Sequence, residues 1–169
     1  WMPSHRPTMP PIERPQKCAL ATPTCDISAS TSLPICAIEY GPAGTLESFK
    51  PYATGLRNSL ALAWVAPGVL LQGENSIDYP DEDAPPEELN ALVRGADHGW
   101  PRCIGARLPA RGYEGRVDCA QTAAPLRLWP AHVAPLQIVA VPASTQHAFA
   151  GQLVVAWHGY RAAGHRVVS

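Results

Sequence analysis

The chain has 169 residues and a formal net charge of −1, a length that suits one domain or part of one. So balanced a charge gives no electrostatic case for a nucleic acid partner or for a general attraction to membranes. With 19 Pro and 13 Gly, the composition predicts many turns, short elements and no long helix.

Residues 1–34 carry seven prolines and no sustained periodicity. A stretch such as "WMPSHRPTMPPIERP" cannot be helical and makes a poor strand, because each proline removes a ladder donor. The segment 1–34 therefore reads as disordered or aberrant, set apart from a domain over 35–169. From Ile35 the texture changes. The runs "ICAIEY", "ESFKPYA", "SLALAW" and "GVLLQGE" read as short strands, separated by the turn signals "GPAG", "TGLRN" and "APG". After the acidic loop "DYPDEDAPPEE", the run "ELNALV" reads as a strand stopped by Gly95, and a Gly/Arg/Pro-rich loop extends to about Leu126. The runs "APLQIVAV", "GQLVVAW" and "HRVV" complete the series. Short strands without helical patterns between them imply an all-β, antiparallel architecture.

Five cysteines, at positions 18, 25, 36, 103 and 119, include no CxxC pair, which argues against a zinc ribbon or a thioredoxin-like site. Cys103 and Cys119 flank the Gly/Arg/Pro-rich loop and suit either a disulfide or two small buried side chains. The odd total leaves at least one thiol unpaired. The longest apolar run, "LALAWVAPGVLL", is broken by Pro67 and Gly68 and is too short to span a bilayer. No secretory signal pattern is visible. The chain starts at Trp1 and stops at Ser169 just after "HRVV", and so reads as a fragment. Without a GxGxxG, P-loop or GxSxG motif, a nucleotide-binding enzyme and a serine hydrolase are both disfavoured.

One local feature asks for a ligand. In "YATGLRNSLALAW", Arg57 and Asn58 sit between a glycine turn and an apolar strand, a place that neither a core nor an exposed edge requires. This stretch, with "GENSID…PPEELNALVRGADHGWPRCIG", "LWPAHVAPL" and "GQLVVAWHGY", resembles the glucose/sorbosone dehydrogenase family. These are the soluble sugar dehydrogenases that use pyrroloquinoline quinone (PQQ). The four segments occur in the family's order and span about residues 36–168.

The resemblance implies a partial six-bladed β-propeller, about three blades long. It also implies PQQ and calcium as cofactors, a small-molecule sugar as substrate, an external electron acceptor, and a periplasmic or secreted parent. It places Arg57 and Asn58 on the cofactor, where a guanidinium fork and an amide suit a planar polycarboxylate. His132 and His158 are carried over as further cofactor-facing positions, and the backbone carbonyls of Ser76 and Ile77 as calcium ligands. Many relatives have glycine where Ser76 stands, which matters if that residue needs positive φ. Asp78, Asp81, Glu82 and Asp83 lack EF-hand spacing and read as a solvated acidic loop. His98 stands where relatives often have tyrosine, and Trp100 reads as packing. The family's general base belongs to an earlier blade, so no catalytic residue is assigned. The alternative reading is a non-catalytic propeller-type binding module or a degenerate gene fragment.

Overall fold

The computed structural model describes residues 14–17 and 33–169. Among them every pair of strands is antiparallel, one isolated bridge between Thr54 and Asp97 is parallel, and no α-helix occurs. The one helical element is a 3-10 turn at Cys119–Gln121, and no helix is long and apolar enough to cross a membrane. The all-β expectation is met.

The first sheet joins β1 (Arg14–Lys17), β2 (Leu33–Tyr40) and β3 (Leu46–Leu56) in that order. The second is a four-stranded sheet ordered β4 (Ser59–Ala66), β5 (Val69–Glu74), β6 (Pro86–Leu92) and β9 (Arg127–Ala131), the strand number of a propeller blade. A two-stranded ribbon, β7 (Cys103–Ile104) and β8 (Leu108–Pro109), lies in the long connection between β6 and β9. The third sheet runs β10 (Pro135–Ala140), β11 (Leu153–Trp157) and β12 (Arg166–Val168).

Four strands depart from the sequence reading. Arg14–Lys17 forms a strand inside the segment where proline content predicts none, pairing with Ile35–Ile38 of β2. It is an edge strand, where Pro15 is tolerated because one side of its ladder needs no donor. The rest of 1–32 lies outside the described residues. β9 contains Pro130, which falls where the register with β6 shifts, between Glu87↔Trp129 and Pro86↔Ala131. A bulge on an edge strand is again where a ladder accepts proline. β7 and β8 are two-residue strands, too short to leave a periodic signal.

Period-2 alternation explains how the sheets stack. In β4, Leu62 and Trp64 pack against the buried cluster of Ile35, Ala37, Tyr52, Ala53, Leu56, Leu70 and Leu92. Their neighbours Ala61 and Ala63 face the other way, into the cluster of Trp129, Val133, Ile138 and Val155. In β6, Leu92 joins the first cluster and Leu89 the second. The central sheet thus has both faces buried, one against β2 and β3, the other against β10 and β11. Trp129 and Trp157 close the second interface edge to face, ring centroids 6.0 Å apart.

Cys103 and Cys119 form a disulfide with a Cα–Cα separation of 5.8 Å, which tethers the β7–β8 ribbon to the 3-10 turn. Cys36 is also disulfide-bonded.

Candidate functional site

Register puts one set of loops at one end of all three sheets. Leu33 pairs with Leu56, Ser59 with Glu74, Glu74 with Glu88, Pro86 with Ala131 and Pro135 with Trp157. The connections that leave from these pairs are 57–58, 75–85, 132–134 and 158–165. Every residue carried over by the resemblance (Arg57, Asn58, Ser76, Ile77, His132, His158) lies on or beside them. The family roles of these residues are a separate matter from this shared location.

Arg57 Nη1 donates to the carbonyls of Asn75, at 3.1 Å, and Ser76, at 2.7 Å. Its guanidinium carbon lies 5.8 Å from the centroid of the Trp100 ring. Asn58 O accepts from Asn75 N at 3.2 Å, closing the 57–58 and 75–76 loops on each other. Trp100 arrives because the stretch after β6 returns along β3: His98 N donates to Thr54 O and Trp100 N to Gly55 O. That approach requires a glycine at 55. Its φ is +72°, and a Cβ there would stand 2.0 Å from Asp97 Oδ1 and 2.4 Å from Gly99 N.

Beneath these loops lie three buried glutamates, Glu74, Glu87 and Glu88. Glu74 accepts from the backbone N–H of Arg57 (2.9 Å) and Asn58 (2.6 Å), from Ser59 Oγ (3.0 Å) and from Gln72 Nε2 (2.7 Å). Glu88 accepts from Gly105 N at 2.6 Å and Asn90 Nδ2 at 3.0 Å. Glu87, on the opposite face of β6, accepts from Ser76 N and, at 3.4 Å, from Ala134 N. Loss of solvent pushes the Glu87 and Glu88 carboxyls up to about 7, against the pull of their N–H donors. Burial raises Glu74 in the same direction, opposed first by the Asn58 N–H.

His132 is buried at a φ of +61°, beside Ala134 at +46°. Its ring spans two acceptors, Asp78 Oδ1 at 3.0 Å from Nδ1 and the Asp81 carbonyl at 2.7 Å from Nε2. Across the turn, His158 N donates to Ala134 O (3.1 Å) and Gly159 N to Val133 O (2.9 Å). The His158 side chain is exposed. Arg161 donates to the carbonyls of Tyr79 and Asp81 and pairs with Glu82 at 3.1 Å. The acidic loop is therefore fastened to the β9–β10 turn and the segment after β11, while Asp78, Asp81, Glu82 and Asp83 remain exposed, as its composition suggests.

Beside Arg57, an open cleft of about 300 Å³ is lined by Ile77, Tyr79, Trp100, Pro101, Arg111 and Tyr113. The Arg111 guanidinium lies 4.1 Å from the Tyr79 ring centroid. His98 is buried, and neither of its ring nitrogens has a hydrogen-bond partner; loss of solvent lowers its pKa.

Ser76 is not among the described residues with positive φ, so serine is under no backbone strain there. Its carbonyl, expected to face a metal, instead accepts from Arg57. Trp100, read as packing, lines the cleft as well. The three glutamates and Arg161 escape sequence reasoning. The one available signal is alternation: Glu74 continues the face of Leu70 and Gln72, and Glu88 that of Asn90 and Leu92.

No family model and no curated protein matches the chain. Among solved structures it is similar to the PQQ-bound form of an aldose sugar dehydrogenase from Streptomyces coelicolor. That similarity has a TM-score of 0.48 and 23% identity, and covers 73% of this chain and 31% of that one. This chain thus spans less than a third of that protein's length, and a likeness at this level transfers no residue roles.

Proposed function

We propose that this chain forms part of a PQQ-dependent dehydrogenase of aldose-type sugars, with its loop-bearing end facing the cofactor. The observation that supports this reading is convergence. Four separate stretches resemble one family in sequence, and their candidate residues come to a single end of the fold, coupled through shared backbone bonds.

The residues present suit a planar anionic cofactor. Arg57 and Arg111 offer guanidinium groups, which bind carboxylates through paired N–H donors. Trp100 and Tyr79 offer ring faces in a cleft whose volume, about 300 Å³, is at the lower end for small-molecule sites. Asn58, His132 and His158 stand at the surrounding turns. PQQ, when bound, supplies a quinone that accepts hydride from the sugar. The chain's own share is to hold and orient that group and to narrow its access to water.

Calcium does not fit the 75–77 loop as folded. The Ser76 carbonyl already accepts from the Arg57 guanidinium, whose charge opposes a second cation at that oxygen. Among the described residues no group of three or more His, Cys, Asp or Glu side chains is arranged to hold a metal. The proposal therefore carries no step through calcium, and no general base is assigned.

The test is a PQQ titration of the chain followed by tryptophan emission, alongside dye reduction with glucose and other aldoses by the full-length protein. Arg57→Ala should weaken PQQ binding by roughly ten- to a hundredfold, the worth of a charge-assisted hydrogen bond. Equal affinity of the two forms would remove the cofactor site. Binding without turnover in the full-length protein would favour a non-catalytic module.

A further inference from the structure

We infer that Glu74, Glu87 and Glu88 are positioning residues, each holding a different loop of the site end in place. Glu74 holds the Arg57–Asn58 turn, Glu87 the Ser76 loop together with the His132–Ala134 turn, and Glu88 the Gly105 loop. The inference rests on the proposed function only for what the positioned loops would bind.

Three observations carry it. First, carboxylates are poor choices for stability alone. One face of the β5–β6 pair runs Leu70↔Leu92, Gln72↔Asn90, Glu74↔Glu88, so it turns from apolar to ionisable toward the loops while staying buried throughout. Burying a carboxylate costs several kcal/mol, and replacing buried charges with apolar side chains is often neutral or stabilising. Continuing the leucine face would have been the stable solution.

Second, the partners are loop amides. The three side chains take five backbone N–H groups: Arg57, Asn58, Ser76, Gly105 and Ala134. An ionised carboxylate has two acceptor oxygens and no donor, so it suits converging N–H groups that have left their own ladders. Third, the remaining bonds fix the carboxylates themselves. Gln72 donates to Glu74 and to Ser59 Oγ, and Asn90 donates to Glu88 and to Gln72 Oε1. The Glu74 and Glu88 carboxyls are thus held by strand side chains as well as by the loops, which is what a rigid support for a binding site requires. The two faces divide the labour: Glu74 and Glu88 hold the loops above the first apolar cluster, and Glu87 holds those above the second.

The experiment is amide hydrogen exchange on the 169-residue chain at pH 8, for wild type and for Glu74→Gln, Glu87→Gln and Glu88→Gln. Each carboxamide keeps the shape but turns one acceptor into a donor facing N–H. Glu74→Gln should speed exchange at residues 57–58, Glu87→Gln at 76 and 134, and Glu88→Gln at 105. Each change should be about ten- to a hundredfold, with the other loops unchanged. Uniform acceleration across all four loops, or none, would overturn the inference. Should a variant fail to fold, Ser59→Ala removes one Glu74 donor and leaves the carboxylate. It should speed exchange at 57–58 several-fold, and no local change would count against the inference. PQQ affinity measured on the same samples separates the two ideas. The loop-specific pattern without any PQQ binding supports the positioning role and rejects the cofactor.

Discussion

The two ends of the sheets are built on opposite principles. At the far end the strands turn back through tight connections such as 66–69, where Gly68 has a φ of +76° and nothing within 4 Å of where a Cβ would stand. At the site end the glycines are crowded. A Cβ on Gly55 would meet Asp97 Oδ1 at 2.0 Å, and one on Gly159 would meet His132 O at 1.8 Å. The far-end glycine serves backbone geometry alone, while the site-end glycines let separate segments touch. The buried carboxylates Glu74, Glu87 and Glu88 follow the same division, which marks the site end as the part of the fold shaped for something other than stability.

Substituting alanine at both kinds of glycine tests that contrast with the largest expected effect. Gly68→Ala should cost about 1–2 kcal/mol, the price of a left-handed residue with room around it. Gly55→Ala adds a clash with two backbone amides, and should cost more than about 4 kcal/mol or prevent folding. Denaturant melts of the two variants decide it. Equal costs would mean that the packing of residues 97–100 on β3 is looser than described.

Next is the disulfide, which ties the long β6–β9 connection beneath the cleft. Closing a 16-residue separation is worth about 3 kcal/mol through the unfolded chain. Cys103→Ser with Cys119→Ser should lower stability by that order and loosen the Gly105 loop. The far end should keep its exchange protection. Loss of protection there as well would show that the two ends unfold as one unit.

Sequence periodicity reveals far more of the fold than of the site. All eight strands expected from Ile35 onward occur, because alternating residues such as Leu62 and Trp64 against Ala61 and Ala63 carry their faces in their order. The missed strands are those that local rules forbid or cannot register: Pro15 and Pro130 sit at an edge and a bulge, and β7 and β8 are two residues each. Arg57 and Asn58 are conspicuous because they interrupt an apolar pattern. The glutamates are not, because "GEN" and "PPEE" read as solvated loop until the pairing of Glu74 with Glu88 turns them inward. Ser76 shows a different limit. Its carbonyl has a cation beside it, but nothing in the sequence says that the cation is Arg57.

Acidity sharpens the comparison further. The Glu87 and Glu88 carboxyls lie near 7 in the folded chain and near 4.5 when unfolded. Between those values the folded state binds more protons, so stability is fully present below about 4.5 and is lost as pH rises through about 7. Each group contributes at most about 3 kcal/mol; the two contributions do not simply add, because the Glu87 charge is itself one of the causes that raise Glu88. Denaturant melts at pH 5 and pH 8 should show the more acidic sample as the more stable. Glu88→Gln should flatten the slope. A protein that loses stability steadily from pH 8 to pH 5 would show these carboxylates to be better solvated than their packing indicates.

The smallest effect concerns Arg161, which joins the segment after β11 to the acidic loop through the Tyr79 and Asp81 carbonyls and Glu82. Its contacts lie at the surface, where an ion pair contributes little. Arg161→Ala should therefore leave the melt close to that of wild type. Its consequence is local, because residues 79–82 would keep the His132 bond to the Asp81 carbonyl and the Arg111 contact with the Tyr79 ring but lose their bonds to the segment after β11. Amide exchange in 79–82 should rise several-fold in Arg161→Ala, and further when His132→Ala is added, while exchange in the 66–69 hairpin stays fixed. If the two substitutions simply add, the arginine and the histidine are independent clasps on one loop. If His132→Ala alone releases 79–82 fully, the buried ring is the true fastening and Arg161 only covers it, which would place control of the cleft's rim in the β9–β10 turn.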